Sequence, residues 1–131
     1  MCWSNYMATP IVLKKPLRVY KVGTVSVFGY FISLFRDFRY CESQTMPTVK
    51  INSEFTRCYL FVPGYKPQMW DTFYIHEGYH SYLTEEIAKC GKNEYEDIGI
   101  FEIPAGATVY INYRHREVVS TNIKYLGLLK E

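Results

Sequence analysis

Charge imbalance is nearly absent from this sequence. Its 131 residues carry 15 Lys and Arg against 13 Asp and Glu, a formal net charge of +2. A protein that reads nucleic acid through its phosphates needs a larger, clustered basic excess, so sequence-specific nucleic acid is not an expected partner. Long apolar runs are missing too. None approaches the roughly 18 residues that span a bilayer, and no membrane partner is expected. The start of the chain lacks an ordered basic region, apolar region and small-residue cleavage site, so it is read without a secretory signal and placed in the cytoplasm. The four cysteines, Cys2, Cys41, Cys58 and Cys90, form no C-x-x-C pair. Reduced, mostly buried thiols fit that compartment. Repeats, low-complexity tracts and interdomain linkers are absent as well, and 131 residues fit one domain.

Aromatics are what the chain has in excess. They make up 18% of it, with 13 Tyr, 8 Phe and 2 Trp. A tyrosine ring has an apolar face and a wet hydroxyl at low entropic cost, so it serves strands, interfaces and stacking surfaces alike. Apolar residues reach 48%, enough to close a packed core. Near-balanced charge with this many aromatics also predicts a homo-oligomer, because interface cores favour Tyr, Phe and Trp and exclude charge.

The pattern along the chain predicts one α+β domain over residues 11–131, dominated by antiparallel β-sheet, with roughly seven strands and one or two short helices. Residues 1–10 end at Pro10 without periodicity and read as a poorly ordered N-terminal arm. Residues 17–22 (LRVYKV) alternate as a strand does. Residues 24–35 (TVSVFGYFISLF) read as a buried strand or a bent pair, with Gly29 at the bend. Residues 36–52 read as a loop holding a short strand at 48–51. Further strands are expected at 57–62, 71–76, 98–103, 107–113, 117–120 and 122–128. Thr84 offers an N-cap, Glu85 and Glu86 a favourable first turn, Lys89 a late cation and Gly91 a C′ position. A helix is therefore expected over 84–90. Pro104-Ala105-Gly106 supplies turn residues, and a hairpin is expected there.

His76-Glu77-Gly78-Tyr79-His80 spells H-E-x-x-H, the zinc-peptidase signature. That chemistry needs a helix, where residues four apart share a face and the glutamate activates the metal-bound water. Asn93-Glu94-Tyr95-Glu96-Asp97 even spells the pattern that carries a glutamate ligand in thermolysin-like peptidases. Yet Gly78 disfavours a helix by about 1 kcal/mol. Thr72 to Ile75 are strand formers, and helix signals begin only at Thr84. His76, Glu77 and His80 are accordingly read as a decoy, with no metal and no cofactor expected.

Glu77-Gly78-Tyr79-His80-Ser81-Tyr82, then a short helix, then Ile103-Pro104-Ala105-Gly106-Ala107-Thr108-Val109-Tyr110 and finally Ser120-Thr121-Asn122-Ile123, resembles a group of small uncharacterised proteins. They come from Bacteroidota genomes, phages and mobile elements, and share the pattern E-G-F/Y-H-S, I-P-x-G-A, S-x-x-I. The resemblance covers about the last 60 residues and the LRVYKV strand, while residues 36–70 depart from it. It implies a phage-type protein acting in the host-cell cytoplasm, where such proteins counter host defence. A weaker similarity is to the ADP-ribosyltransferase fold, carried by Gly78-Tyr79-His80-Ser81 followed by Phe101-Glu102-Ile103-Pro104-Ala105-Gly106. It implies a nucleotide-shaped pocket and makes Glu102 the one candidate for a catalytic glutamate.

A nucleotide requires flat faces for its base and planar donors for its phosphates, which Tyr and Arg supply. Tyr79, His80 and Ser81 are expected to border a ligand pocket, Arg18 or Arg36 to hold the anion, and Tyr110 or Tyr113 to stack. Arg114-His115-Arg116 reads as a solvated turn. Tyr65, Met69 and Trp70 read as loop residues that tuck inward or make contacts. The sequence holds no complete nucleophile, acid/base or metal constellation. The leading expectation is a non-enzymatic protein that sequesters a nucleotide-like small molecule. A protein–protein inhibitor of a host factor is the alternative, ahead of an ADP-ribosyltransferase-like enzyme and, last, a zinc peptidase.

Overall fold

A computed structural model describes residues 2–4, 10–33, 39–51, 53–61, 63–75 and 77–130, with backbone alone for 2–4, 53–60 and 68–74. The β-branched and aromatic runs become strands, as their preference for a pleated, half-buried surface dictates. In chain order these are β1 (Cys2–Ser4), β2 (Ile11–Val12), β3 (Leu17–Val25), β4 (Phe31–Ser33), β5 (Arg39–Tyr40), β6 (Ser53–Leu60), β7 (Gln68–Ile75) and β8 (Tyr79–Tyr82). The helix α1 (Glu85–Gly91) follows, then β9 (Asp97–Ile103), β10 (Thr108–Asn112), β11 (Glu117–Ser120) and β12 (Lys124–Leu128). The domain is α+β and mostly antiparallel sheet, as expected, but more finely divided than the sequence suggests.

β1, β7 and β6 form a three-stranded sheet. The rest form a second sheet in the order β12-β9-β3-β8-β11-β10-β2, with β4 and β5 attached off this path. β3 organises the larger sheet. One edge runs along β9 from Leu17↔Ile103 to Gly23↔Asp97. Its other edge is shared, with Tyr20 paired to Tyr82 of β8 and residues 23–25 paired to β4. Strand alternation divides its side chains between two layers. Val19 joins one buried cluster with Phe31, Tyr40, Tyr79, Phe101, Ile103, Val109, Ile111, Val118, Ile123 and Tyr125. Strands far apart in the sheet order supply this cluster, so the sheet curls around it. Phe101 meets Phe31 and Tyr40 edge-on, at centroid distances of 5.5 and 4.9 Å. Such geometry places the positive ring edge on the negative face. On the opposite face Val22 and Ile98 pack against Ala88 of α1, with Tyr20, Tyr82 and Leu129 around them. Farther along that face Ile75, at the end of β7, packs with Ile51 on Val119 and Tyr110.

The helix forms where its caps predict. Thr84 Oγ1 accepts from the Ile87 N–H at 3.4 Å, Glu85 and Glu86 occupy the first turn, and Lys89 reaches Glu85 at 3.7 Å. Gly91 departs from its expected C′ role and is the last helical residue, with Lys92 as the C-cap. A Cβ on Gly91 would lie 3.3 Å from the Tyr82 hydroxyl, a tight approach that suits glycine.

Other expectations are corrected. Pro104–Gly106 does form a turn, closed by Ala107 N–H to Pro104 C=O at 3.2 Å with Gly106 at φ +89. No hairpin results, because β9 pairs with β3 and β12 whereas β10 pairs with β11 and β2. Residues 48–51 are not a strand. Residues 43–49 instead run alongside residues 121–125, donating Ser43, Met46 and Val49 N–H groups to Tyr125, Ile123 and Thr121. Met69 and Trp70 belong to β7 and not to a loop. Cys90 is exposed and Cys41 half-buried, so those two thiols are not core groups. The 24–35 segment takes its bent-pair form as far as Ser33, with the bend at Ser26–Tyr30. Within the expected arm, Cys2–Ser4 pair with Thr72–Tyr74, and residues 5–9 lie outside the described residues. Among the described residues no helix is long and apolar enough to cross a membrane.

Candidate functional site

The three neighbouring residues Tyr79, His80 and Ser81 lie on one strand, and the two-residue period of a strand separates them. Tyr79 joins the curled-sheet core, 2% exposed, and its hydroxyl donates to the Pro47 carbonyl at 2.6 Å. Burial pushes its acidity below that of an ordinary tyrosine, raising the pKa. Ser81 is two residues on and shares that face. It is also buried, and its hydroxyl has no hydrogen-bond partner among the described residues. His80 is buried too but stands on the other face, opposite Val119, which in turn is opposite Tyr110. Thus His80 and Tyr110 share a layer, while Tyr79 and Ser81 do not join them. Tyr113 is exposed in the β10–β11 turn beside Arg114, His115 and Arg116, past the last registered pair of that hairpin. Arg36 and His76 lie outside the described residues. Glu102 is half-buried, registered between Arg18 and Lys124.

The residue that sequence reasoning missed is Lys21. It follows Val19 on the core side of β3, is 3% exposed, and donates from Nζ to the His80 carbonyl. The Tyr40 and Phe101 rings flank it, with Nζ 5.4 and 5.7 Å from their centroids. Burial withdraws water from the ammonium and lowers its pKa from 10.5 to about 7. Ring faces attract a cation, but less than lost hydration penalises it. Tyr40, buried beside it, is shifted upward by desolvation and by Tyr79. Only the even spacing of Lys21 from Leu17 and Val19 marks it in the sequence, and a lysine at that position reads as solvated.

Arg18 does border an opening. It lines a shallow surface cleft of about 410 Å³ with Tyr20, Leu83, Thr84, Glu85 and Glu86. A cation and an aromatic ring are thereby brought together, but with two carboxylates on the same rim. Elsewhere the surface displays apolar groups at turns. Val27 is 96% and Phe28 83% exposed between β3 and β4. Three bonds fix that turn: Ser26 N–H to Tyr30 C=O, Gly29 N–H to Ser26 C=O, and Tyr30 N–H to Ser26 Oγ, at 2.8, 3.0 and 3.1 Å. Gly29 takes φ +87 to close it.

Glu77 and Gly78 form a bend, with Gly78 at φ +120, that leads into the strand carrying His80. Residues 77–80 are therefore not a helical turn. Among the described residues no group of three or more His, Cys, Asp or Glu is placed to hold a metal ion. Comparison with protein families, curated proteins and solved structures finds no match for the chain.

Proposed function

We propose that this protein is a non-enzymatic binding module that docks a host protein through the β3–β4 turn. The observation that carries the reading is the adjacent pair Val27 and Phe28, almost wholly out of the core on a turn fixed by its own hydrogen bonds. Single exposed apolar residues are ordinary. Two in succession on a preformed turn resemble an interface anchor, which loses little conformational entropy on binding. Val25 and Tyr30, partly exposed, widen the patch. The resemblance to small phage and mobile-element proteins supports a host factor as partner and interference with host defence as the outcome.

Sequestration of a nucleotide-like small molecule is the second reading. It is supported by Arg18 and Tyr20 lining one cleft. Glu85 and Glu86 on that rim repel phosphate, which ranks it behind the protein-docking reading.

One experiment separates the two. A photo-crosslinking phenylalanine analogue is placed at Phe28 in host cells, and the purified protein is separately incubated with a nucleotide panel and heated to release what stayed bound. The docking reading expects one protein species joined at position 28 and no nucleotide released. An intact nucleotide without a cross-link overturns docking in favour of sequestration, and a converted product means an enzyme.

A further inference from the structure

We propose that the β10–β11 turn is a second contact surface, one that binds single-stranded nucleic acid through phosphates and bases without reading its sequence. Tyr113, Arg114, His115 and Arg116 follow one another there, and all are exposed. None of their side chains makes a hydrogen bond or ion pair with a described residue. The flanking residues leave the tip's charge in place. Asn112 is neutral, and Glu117 stands opposite Tyr82 in the register, over the sheet. The cleft that holds Arg18 differs, because Glu85 and Glu86 line it too.

Exposed arginines are ordinary, and water satisfies them. The backbone sets this turn apart. Arg116 has φ +53, in the left-handed region that glycine adopts at less cost. Two bonds hold it there. The His115 N–H donates to Asn112 Oδ1 at 3.2 Å, and the Leu83 N–H donates to the Arg116 carbonyl at 2.7 Å. Asn112 is fully buried, so that acceptor is fixed. The tip is therefore built before any ligand arrives, and a long cation occupies a position that suits glycine. A preformed tip loses little entropy on binding.

The side chains select the ligand. Guanidinium groups fork onto phosphate oxygens, and an exposed ring stacks on a base of any identity. A nucleotide unit engages both, whereas an acidic peptide offers the ring no flat base. The tip projects past the last registered pair of its hairpin, which suits a strand draped over it better than an enclosed free nucleotide. Two arginines and a net charge of +2 make the contact weak and salt-sensitive. This surface is separate from the docking turn. It meets the sheet near the start of β3, through Leu83 and the Tyr20–Tyr82 pair, whereas Val27 and Phe28 follow the end of β3.

Fluorescence anisotropy of a labelled oligothymidylate of about 12 nucleotides, titrated with the whole protein, tests this. The wild type should bind with a slope of log affinity against log salt of about −1.4, the value for two neutralised phosphates on a single strand. Arg114→Ala combined with Arg116→Gly should weaken binding by about 10-fold or more and flatten the slope. Tyr113→Ser should weaken it by about 10-fold and keep the slope. Val27→Ser with Phe28→Ser should bind as the wild type does, so this result stands apart from the docking test. No binding by the wild type, or an unchanged slope in the arginine variant, overturns the proposal. Equal displacement by thymidine monophosphate or by polyglutamate at matched charge overturns it as well. If the arginine variant does not fold, Tyr113→Ser decides: lost affinity at the same slope supports the strand, and equal affinity overturns it.

Discussion

Lys21 shares the side of β3 that carries Val19 and Gly23, in a segment where both alternating sets of residues end up buried. The LRVYKV pattern made the strand legible, but not which set faces the core, since each set contains a cation and two apolar residues. The structure resolves the tie by covering Val22 with α1 and leaving Arg18 exposed. Burying Lys21 lowers stability wherever the unfolded chain is protonated and the native amine is not. The Lys21 penalty should therefore vanish above about pH 10.5, grow as pH drops toward 7, and level off below, while the buried tyrosines, whose pKa values are raised, lower stability as pH climbs past 10. The whole Lys21 effect is of order 5 kcal/mol as an upper bound. Urea denaturation of Lys21→Met at pH 7 should show a gain on the order of 2 kcal/mol, shrinking at pH 10. A loss at pH 7 would mean that the bond to the His80 carbonyl outweighs desolvation. Gly23 gives a second residue-level test. A Cβ there would collide with the Ile32 carbonyl and stand 2.8 Å from Phe31. Gly23→Ala should cost roughly 2–4 kcal/mol in the same measurement, because the Ile32 backbone and the buried Phe31 ring close the gap.

Elements with local causes were legible, and those with distant causes were not. The helix is local: its Thr84 cap, acidic first turn and Lys89 all lie within one short window. Thr84→Ala should lower stability by about 1 kcal/mol in thermal or urea melts, since the Ile87 N–H loses its acceptor. The bent pair around Gly29 is local too. The Pro104–Gly106 turn is legible as a turn, but its flanking strands choose partners elsewhere in the chain, and nothing in their own residues states that. The candidate residues are parted for a different reason. Tyr79, His80 and Ser81 look like a cluster in sequence, and a strand necessarily divides adjacent residues between two faces. At the β3–β4 turn, Val27→Ser with Phe28→Ser should leave the melting midpoint nearly unchanged, since neither side chain belongs to the core. A large drop would show that the pair is packed and not displayed.

At the scale of the molecule, one curled antiparallel sheet takes part of the aromatic excess into its own core. Phe31, Tyr40, Tyr79, Phe101 and Tyr125 are all buried in a single cluster. Composition could not divide these rings from the displayed ones, because Tyr and Phe serve core and interface equally. What remains outside is a set of exposed aromatics at turns, of which Phe28 is the most exposed phenylalanine among the described residues. Docking of a protein partner falls to this turn in the proposed function. Its most direct test is calorimetric titration of the partner cross-linked at position 28, purified, against the wild type and the Val27→Ser, Phe28→Ser double variant. Affinity should fall on the order of 100-fold or more in the double variant with the fold intact. Equal affinity for both proteins would contradict it.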